Sequence, residues 1–226
     1  MNQKVFFKTR TEPVFETSFW NAGGLSNDKF TELKTIVLSN DLDVMGILEV
    51  GAAAYNEEYF NLTGYQKFVV NHSRQIASGI TVFVKVFLKA KLNASRQMTT
   101  DDKLEFVQMH IWRQDTRIKV FFLYNPPNNK PDFGSILLNW DSKSLILGDF
   151  NAPSTRWDYM VTSCIGSIVE NLIDSNPVDC IENEANSPTF LSYSEGVSHP
   201  DLLLTHPTLS ERVQHKLIDS PGGDGH

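Results

Sequence analysis

The chain has 226 residues, of which 41% are hydrophobic and 11% aromatic, and its formal net charge is −7. This composition excludes a disordered chain and provides for a substantial core. The acidic balance argues against nucleic-acid binding that rests on phosphate neutralisation by lysine and arginine. It suits a site built from carboxylates, which requires a metal cation before it can approach a phosphate.

No apolar run approaches the roughly 20 residues that a membrane helix needs, and the opening segment MNQKVFFKTRTEPVF lacks the pattern of a secretory signal. The two cysteines, Cys164 and Cys180, show no metal-ligand spacing and suit free thiols in a reducing compartment. We therefore expect an intracellular protein with no transmembrane segment.

The first half of the chain combines one predicted helix with several predicted strands. The segment SNDKFTELKTIVLSN predicts a helix, because Phe30, Leu33 and Val37 share one helical stripe and Ser26 is a suitable N-cap. Strands are expected in ETSFWN and DVMGILEV, and in two pairs, YQKFVVNH with GITVFVKV and KLEFVQMHIW with RIKVFFLYN. The basic residues from Lys85 to Arg96 are expected to lie on a solvated strand face, with a DNA-backbone contact as the alternative.

The second half predicts a short helix in SILLNW, a strand in LILG and an amphipathic helix in TSCIGSIVENLID. Three short strands are expected in SPTFLS, PDLLLTH and RVQHKLID. These elements predict a single α/β domain over residues 1–226, with mixed sheets because several strands come in adjacent pairs. Residues 1–15 are expected to form a flexible or poorly paired leader.

The stretch LILGDFNAPS, residues 145–154, runs from an apolar strand directly into polar residues. Asp149 and Asn151 lie two positions apart and would share a face if strand geometry persisted past Gly148. Pro153 lacks the N–H group that a strand ladder needs, so the polar pair is expected at the carboxyl end of the strand, where open α/β sheets place ligand sites. The alternative is an Asx turn, in which these side chains only cap local backbone.

The same pattern of a polar residue at a strand end recurs along the chain, at Asn21, Glu49, Tyr124, Asp201, Asp224 and His226. A buried carboxylate costs several kcal/mol unless it is paired or bound to metal. The repetition therefore predicts a shared polar cleft, able to ligate a hard cation, to act as acid or base and to hold a phosphate. The sequence contains neither a Gly-rich phosphate loop nor a G-x-S-x-G motif.

Seven motifs, in chain order, resemble those of the endonuclease/exonuclease/phosphatase superfamily: SFWNAGGL, ILEV, FLYNPP, LILGDFNAPSTRW, SPTF, SHPDLLL and GGDGH. Abasic-site endonucleases and deoxyribonuclease I share this fold. The APSTRW continuation, with TF and PDL after it, is most similar to the endonuclease domain of non-LTR retrotransposons. The resemblance runs from about residue 18 to the end and implies a four-layer α/β sandwich, in which two mixed β-sheets pack face to face with helices outside.

The resemblance implies a metal-dependent site. Glu49 would be the Mg²⁺ ligand, with Mn²⁺ as an alternative ion, and Asn21 would help to hold the metal or the phosphate. Asp224 would lie on the metal side as well. Asp149 would orient or deprotonate the attacking water.

The resemblance also implies a set of phosphate contacts. Asn151 would donate a hydrogen bond to a phosphoryl oxygen, and Tyr124 would contact the phosphate. Asp201 would orient the imidazole of His226, which stabilises charge on the phosphate in the transition state. Trp157 could lie near the DNA cleft or serve as a core aromatic, and the sequence leaves both open.

The last motif departs from the usual pattern of adjacent Asp and His. Either Asp224 and His226 serve with a one-residue shift, or Gly225 occupies the Asp position and one carboxylate is lost. In YNPP, the Asn that many relatives carry after the first Pro is absent. Relatives continue into another apolar strand, so we expect the chain to be truncated at its C-terminal strand.

The implied function is that of a Mg²⁺-dependent DNA endonuclease of a non-LTR retrotransposon polyprotein, which leaves a 3′-hydroxyl that primes reverse transcription. Its expected partners are double-stranded DNA and the reverse transcriptase of the same polyprotein, with no membrane, and it would be a monomeric domain acting in the nucleus. The alternatives are a phosphatase or phosphodiesterase of the same superfamily, and a catalytically inactive, truncated nucleic-acid-binding domain.

Overall fold

The computed structural model describes residues 15–51, 60–70, 78–182 and 199–218 with their side chains, and residues 2–7, 190–191 and 197–198 by backbone alone. No helix within these ranges is both long enough and apolar enough to cross a membrane.

The strands of these ranges are β1 (Asn2–Phe7), β2 (Phe15–Asn21), β3 (Val44–Leu48), β4 (Tyr65–Val70), β5 (Ile80–Lys85), β6 (Lys89–Arg96), β7 (Glu105–Arg113), β8 (Thr116–Tyr124), β9 (Ser144–Asp149), β10 (Asp179–Cys180), β11 (Phe190–Leu191), β12 (Val197–Ser198), β13 (Asp201–Thr205) and β14 (Val213–Ile218). The helices are α1 (Asn27–Ser39), α2 (Gly134–Leu137), α3 (Cys164–Asp174) and α4 (Pro207–Ser210), and Thr155–Trp157 forms a 3-10 turn.

Two mixed six-stranded sheets dominate the structure. The first has the strand order β14-β1-β2-β3-β5-β4 and the second β10-β13-β9-β8-β7-β6, while β11 and β12 pair separately. The pairs β2–β3 and β8–β9 are parallel, and the other pairs of the two sheets are antiparallel. This arrangement confirms the mixed sheets expected from the sequence.

The sheets pack face to face over one apolar core, which receives Phe19 and Leu48 from the first sheet and Phe122 and Leu147 from the second. A second cluster joins the outer face of the second sheet to α3. A third joins the outer face of the first sheet to α1. The four-layer sandwich with outer helices is therefore confirmed.

Local sequence explains where the two longer helices begin and which faces they bury. The Ser26 hydroxyl caps α1 by accepting a 3.2 Å hydrogen bond from the backbone N–H of Lys29. The predicted stripe of Phe30, Leu33 and Val37 is buried against the first sheet. In α3 the hydroxyl of Ser163 plays the same capping role, with a 2.9 Å bond from the N–H of Gly166.

Two further expectations concern the N-terminal segment and strand β6. Residues 2–7 form β1, which pairs with β2 on one side and β14 on the other, so this part of the expected leader is well paired. Residues 8–14 lie outside the described ranges. Lys89 and Lys91 are exposed on the edge strand β6, as expected for a solvated strand face, whereas Lys85 and Arg96 are ion-paired and partly buried.

The topology brings the polar strand ends to one edge of the sandwich. The parallel strands β2 and β3 end next to each other at Asn21 and Leu48. In the facing sheet, β8 and β9 end together at Tyr124 and Asp149. The antiparallel β13 begins at this same edge, because Asp201 is the register partner of Asp149.

Candidate active site

Asn21 joins the two sheets at this edge. Its side-chain Nδ2 donates to Glu49 Oε1 at 2.7 Å and to Asp149 Oδ2 at 2.9 Å. Its Oδ1 accepts a 3.0 Å bond from the backbone N–H of Gly23, which fixes the orientation of the amide. Three residues that are far apart in the sequence therefore converge, as the pattern of polar strand ends predicted.

Glu49 follows β3 directly and has a positive φ of 52°, which is uncommon for a residue with a side chain. The loop after β2 holds this turn by two backbone bonds, from Ala22 to the carbonyl of Leu48 at 3.0 Å and from Gly24 to that of Glu49 at 2.8 Å. Such a conformation persists only when its surroundings over-determine it, and it directs the Glu49 carboxylate toward Asn21.

Tyr124 is 3% exposed at the end of β8, and its hydroxyl forms a hydrogen bond with Glu49. Burial, followed by the charge of Glu49 and this hydrogen bond, raises the pKa of Tyr124 far above its usual range. The phenol therefore stays protonated at neutral pH and acts as a hydrogen-bond donor within the site.

Asp149 is 7% exposed and has a bond to each carboxylate oxygen, because Oδ1 accepts from the N–H of Asn151 at 3.1 Å while Oδ2 accepts from Asn21. Burial raises the pKa of Asp149, and the nearby carboxylates of Asp201 and Glu49 raise it further. The hydrogen bonds from Asn21 and Asn151 oppose that rise in pKa. A carboxyl with a raised pKa is a stronger base once ionised.

Asp149 and Asn151 show features of both interpretations, the Asx turn and the ligand site at a strand end. The Asn151 N–H bond to Asp149 Oδ1 is the local Asx-turn contact, whereas Asp149 Oδ2 serves the long-range contact with Asn21. Strand geometry does not persist past Gly148 to Asn151, since β9 ends at Asp149 and Asn151 has a φ of 43°. Asn tolerates this left-handed conformation better than most residues, which explains the early end of the strand.

The side chain of Asn151 is half-buried, and its Nδ2 donates to the backbone carbonyl of Asn125 at 3.1 Å. Asn125 follows Tyr124 and is fully buried. The sequence reasoning overlooked Asn125, although a polar residue directly after a strand is the signal that identified the others.

Three predicted site residues, Trp157, Asp224 and His226, do not join this group of side chains in the part of the chain that the structure describes. Trp157 is 7% exposed, packs in the core beneath α3, and donates its indole N–H to the carbonyl of Ala152 at 2.8 Å. This burial favours the core-aromatic alternative for Trp157, and its contact with substrate stays a prediction. Asp224 and His226 lie outside the described residues.

The donor set of this edge suits a hard divalent cation. Glu49 and Asp149 supply carboxylate oxygens, which are ligands that Mg²⁺ and Ca²⁺ prefer, whereas Asn21 turns its amide nitrogen toward both carboxylates and its Oδ1 toward the N–H of Gly23. Within the described ranges no three His, Cys, Asp or Glu side chains enclose a single metal position. Mg²⁺ tolerates such an open site, because it commonly retains several waters and binds through one or two carboxylates plus a substrate phosphate.

Comparison with known proteins finds a similar sequence family and similar folds. Residues 118–224 match a family model described as "Endonuclease-reverse transcriptase". The fold is similar to the endonuclease domain of TRAS1, a telomere-specific non-LTR retrotransposon, with a TM-score of 0.65 and 18% identity over 86% of each chain. No curated protein matches the sequence.

Two further solved structures share the fold at lower identity. The AP endonuclease LMAP from Leishmania major has a TM-score of 0.62 and 12% identity, over 87% of this chain and 80% of that one. The human Nocturnin catalytic domain has a TM-score of 0.60 and 12% identity, over 90% of this chain and 85% of that one.

Fold and site together define a class: the chain has the endonuclease/exonuclease/phosphatase fold, with a carboxylate-rich site at one edge of the sandwich. Within that class, residues 118–224 are similar to the endonuclease-reverse transcriptase family, and the fold is similar to the endonuclease domain of a non-LTR retrotransposon, as the motifs predicted.

Proposed function

We propose that this protein is a Mg²⁺-dependent DNA endonuclease of a non-LTR retrotransposon, which hydrolyses a phosphodiester and leaves a 3′-hydroxyl that primes reverse transcription. The observation that carries the proposal is the bridge from Asn21 to Glu49 and Asp149 across the two sheets. The match to the "Endonuclease-reverse transcriptase" model and the likeness to the TRAS1 domain support the same conclusion.

The residues of the bridge divide the chemistry between them. Glu49 would hold the cation and Asn21 would help to hold it, and the cation would supply positive charge to the phosphate and to the leaving oxygen. Asp149, with its raised pKa, orients the attacking water and accepts its proton. Tyr124 remains a neutral donor beside Glu49 and serves as a phosphate contact.

The remaining contacts complete the proposal. Asn151 donates to a phosphoryl oxygen through the Nδ2 hydrogen that does not bond to the carbonyl of Asn125. Asp201, next to Asp149 in the sheet, orients the imidazole of His226, and Asp224 contributes a carboxylate on the metal side. Preorganised donors aimed at developing charge supply most of the rate enhancement in such reactions.

The proposed setting is a monomeric endonuclease domain that acts on double-stranded DNA in the nucleus, within a polyprotein that also carries the reverse transcriptase. The acidic net charge of −7 fits a domain whose contact with DNA depends on a cation and on neighbouring parts of that polyprotein.

Nicking of supercoiled plasmid tests the proposal. We expect Mg²⁺-dependent conversion to the open circle, with ends that a DNA polymerase extends without further treatment, because the product carries a 3′-hydroxyl. Asp149→Ala and Glu49→Ala should each lower the rate by at least about 100-fold, since each removes a group that acts in the transition state. Asn139→Ala is the matched control, because its amide bonds only to the carbonyl of Ser135, away from the site.

Undiminished nicking by Asp149→Ala or Glu49→Ala would contradict the assigned roles. Release of phosphate from small phosphomonoesters, without plasmid nicking, would favour the phosphatase alternative. Mg²⁺-independent DNA binding without cleavage of either substrate would favour an inactive binding domain.

A further inference from the structure

A chain of buried polar side chains lies behind the site and contacts the loop that carries Asp149 and Asn151. Asn125 is fully buried, and its backbone N–H donates to the carbonyl of Asp149 at 2.8 Å. Its side-chain Nδ2 donates to the carbonyl of Phe150 at 2.9 Å, and its own carbonyl accepts from Asn151 Nδ2. Asn125 therefore contacts all three residues of the DFN segment.

Asn125 is itself held from behind by a second asparagine. Asn129 is 7% exposed, and its Nδ2 donates at 2.8 Å to Asn125 Oδ1 and also at 2.8 Å to Asp102 Oδ1. The N–H of Lys103 donates to Asn129 Oδ1 at 2.9 Å, which fixes which way the amide faces. Because Asn129 donates to Oδ1 of Asn125, the amide of Asn125 is oriented with its Nδ2 toward the carbonyl of Phe150.

Asp102 anchors this chain of side chains. Its Oδ1 also accepts from the N–H of Leu104, and its Oδ2 accepts from Arg96 at 2.8 Å and from the N–H of Asp132 at 2.9 Å. Burial alone would raise the pKa of Asp102, but the bonds from Asn129 and from the two backbone N–H groups, together with Arg96, hold it below its usual range. The anchor is a fully bonded, ionised carboxylate.

We propose that Asn125, Asn129 and Asp102 are positioning residues that hold the Asp149–Asn151 segment in its reactive geometry, an inference that rests on the proposed nuclease function. None of the three contacts the reacting atoms. They act through the contacts of Asn125 with the backbone carbonyls of Asp149 and Phe150 and with the side-chain amide of Asn151.

The geometry of the segment explains why it needs such support. Asn151 sits at a φ of 43°, which the chain adopts only when neighbouring contacts hold it there. The next residue after Asn125 is Pro126, which has no N–H group to extend the strand ladder between β8 and β9. At this point the side chain of Asn125 supplies the donor in place of a backbone N–H, by bonding to the carbonyl of Phe150.

Asn129→Ala is the main test, because it removes both amide donations and leaves Asn125 and the DFN segment unchanged in sequence. We expect kcat for plasmid nicking to fall about 10- to 100-fold, the effect of a misplacement of up to about 1 Å, while KM changes less than about threefold. Amide hydrogen exchange at Asn151 should accelerate at least about tenfold relative to Leu147, inside β9. Asn125→Asp, which keeps the acceptor for Asn129 but loses the donor to Phe150, should give the same split.

Ser144→Ala is the matched control. Ser144 lies on β9, the strand that ends at Asp149, and is fully buried, as Asn125 is. Its hydroxyl bonds to Asp141 at the other end of β9 from the site. This variant should lose stability without changing kcat or the exchange of Asn151.

Two results would overturn the positioning role. One is an Asn129→Ala protein with unchanged kcat and unchanged Asn151 exchange. The other is equal acceleration of exchange at Leu147 and Asn151, which would mean general destabilisation. If the wild-type protein cuts no DNA, the nuclease proposal fails, but the exchange measurement still decides whether this chain of side chains orders the segment.

Discussion

Asn21→Asp offers the sharpest test of the bridge at the sandwich edge. The substitution keeps the size of the side chain and the acceptor for the N–H of Gly23, but it replaces the shared donor with a third carboxylate. Glu49 and Asp149 then each lose a hydrogen bond, of 2.7 Å and 2.9 Å respectively, and face another negative charge. Without a cation, the folded state should be destabilised.

The size of the effect follows from the two lost bonds. Hydrogen bonds to charged groups contribute about 1.5–3 kcal/mol each, and the lower end applies because Asn21 is half-exposed, so the free energy of unfolding should fall by about 3 kcal/mol. For a domain of this size, 1 kcal/mol lowers Tm by about 2–4 °C, which gives a decrease of about 6–12 °C.

Thermal unfolding in EDTA and in millimolar Mg²⁺ provides the assay. A third carboxylate strengthens cation binding, and a ligand that binds only the folded state stabilises it. Mg²⁺ should therefore recover about half or more of the lost Tm in Asn21→Asp, a larger gain than in the wild type. Asn139→Asp changes the charge equally at a site remote from Glu49 and should respond to Mg²⁺ as the wild type does.

An unchanged Tm in EDTA would show that the Asn21 bridge contributes nothing to stability. A deficit that is the same with and without Mg²⁺ would show that no cation binds between these carboxylates. Either result would refute the reasoning about the site, whatever the plasmid assay shows.

Two further predictions concern residues around the site and within the core. A Cβ at Gly148 would lie 2.0 Å from the carbonyl oxygen of Leu123, so Gly148→Ala should push β9 away from β8. We expect the free energy of unfolding, measured by denaturant titration, to fall by about 1–3 kcal/mol, and plasmid nicking to slow at least about tenfold. Wild-type values for both quantities would contradict this. Burial lowers the pKa of His215 from its ordinary 6.5 to about 4, so the unfolded chain takes up this proton first and the protein should lose about 3 kcal/mol as pH falls from about 6.5 to 4. The stability profile of His215→Gln should be flatter in that window, and a parallel profile would exclude the effect.

Much of this site could be predicted because each strand carries its own signal. The apolar run before Asp149 gives the strand, and the polar residue after it marks the end that faces the cleft. Asn21 and Glu49 could be placed by the same argument, because parallel neighbours end at the same edge. The meeting of the two sheets required the resemblance in motif order, since local pattern does not reveal which faces pack together.

The features that escaped prediction depend on tertiary contacts. The φ of Asn151 is set by bonds to Asp149 and Asn125, so local strand geometry could not predict where its side chain lies. The sequence left the position of Trp157 open, because its burial depends on packing beneath α3 and on the bond from its indole N–H to the carbonyl of Ala152. Strand β1 escaped because its two partners, β2 and β14, lie at opposite ends of the sequence.

In this fold the apolar core between the sheets provides the stability, and the charged residues lie together at one edge of the sandwich. The two sheets share an apolar core to which the site contributes Tyr124, and the carboxylates are crowded together at its rim. Burial together with that crowding raises the pKa of Asp149, and the loop after β2 holds Glu49 in a strained conformation. Both features oppose folding at neutral pH. Asn21 offsets part of this opposition by donating to both groups, and a cation would offset more. If the proposed function holds, the same repulsion favours the binding of a divalent ion between these carboxylates.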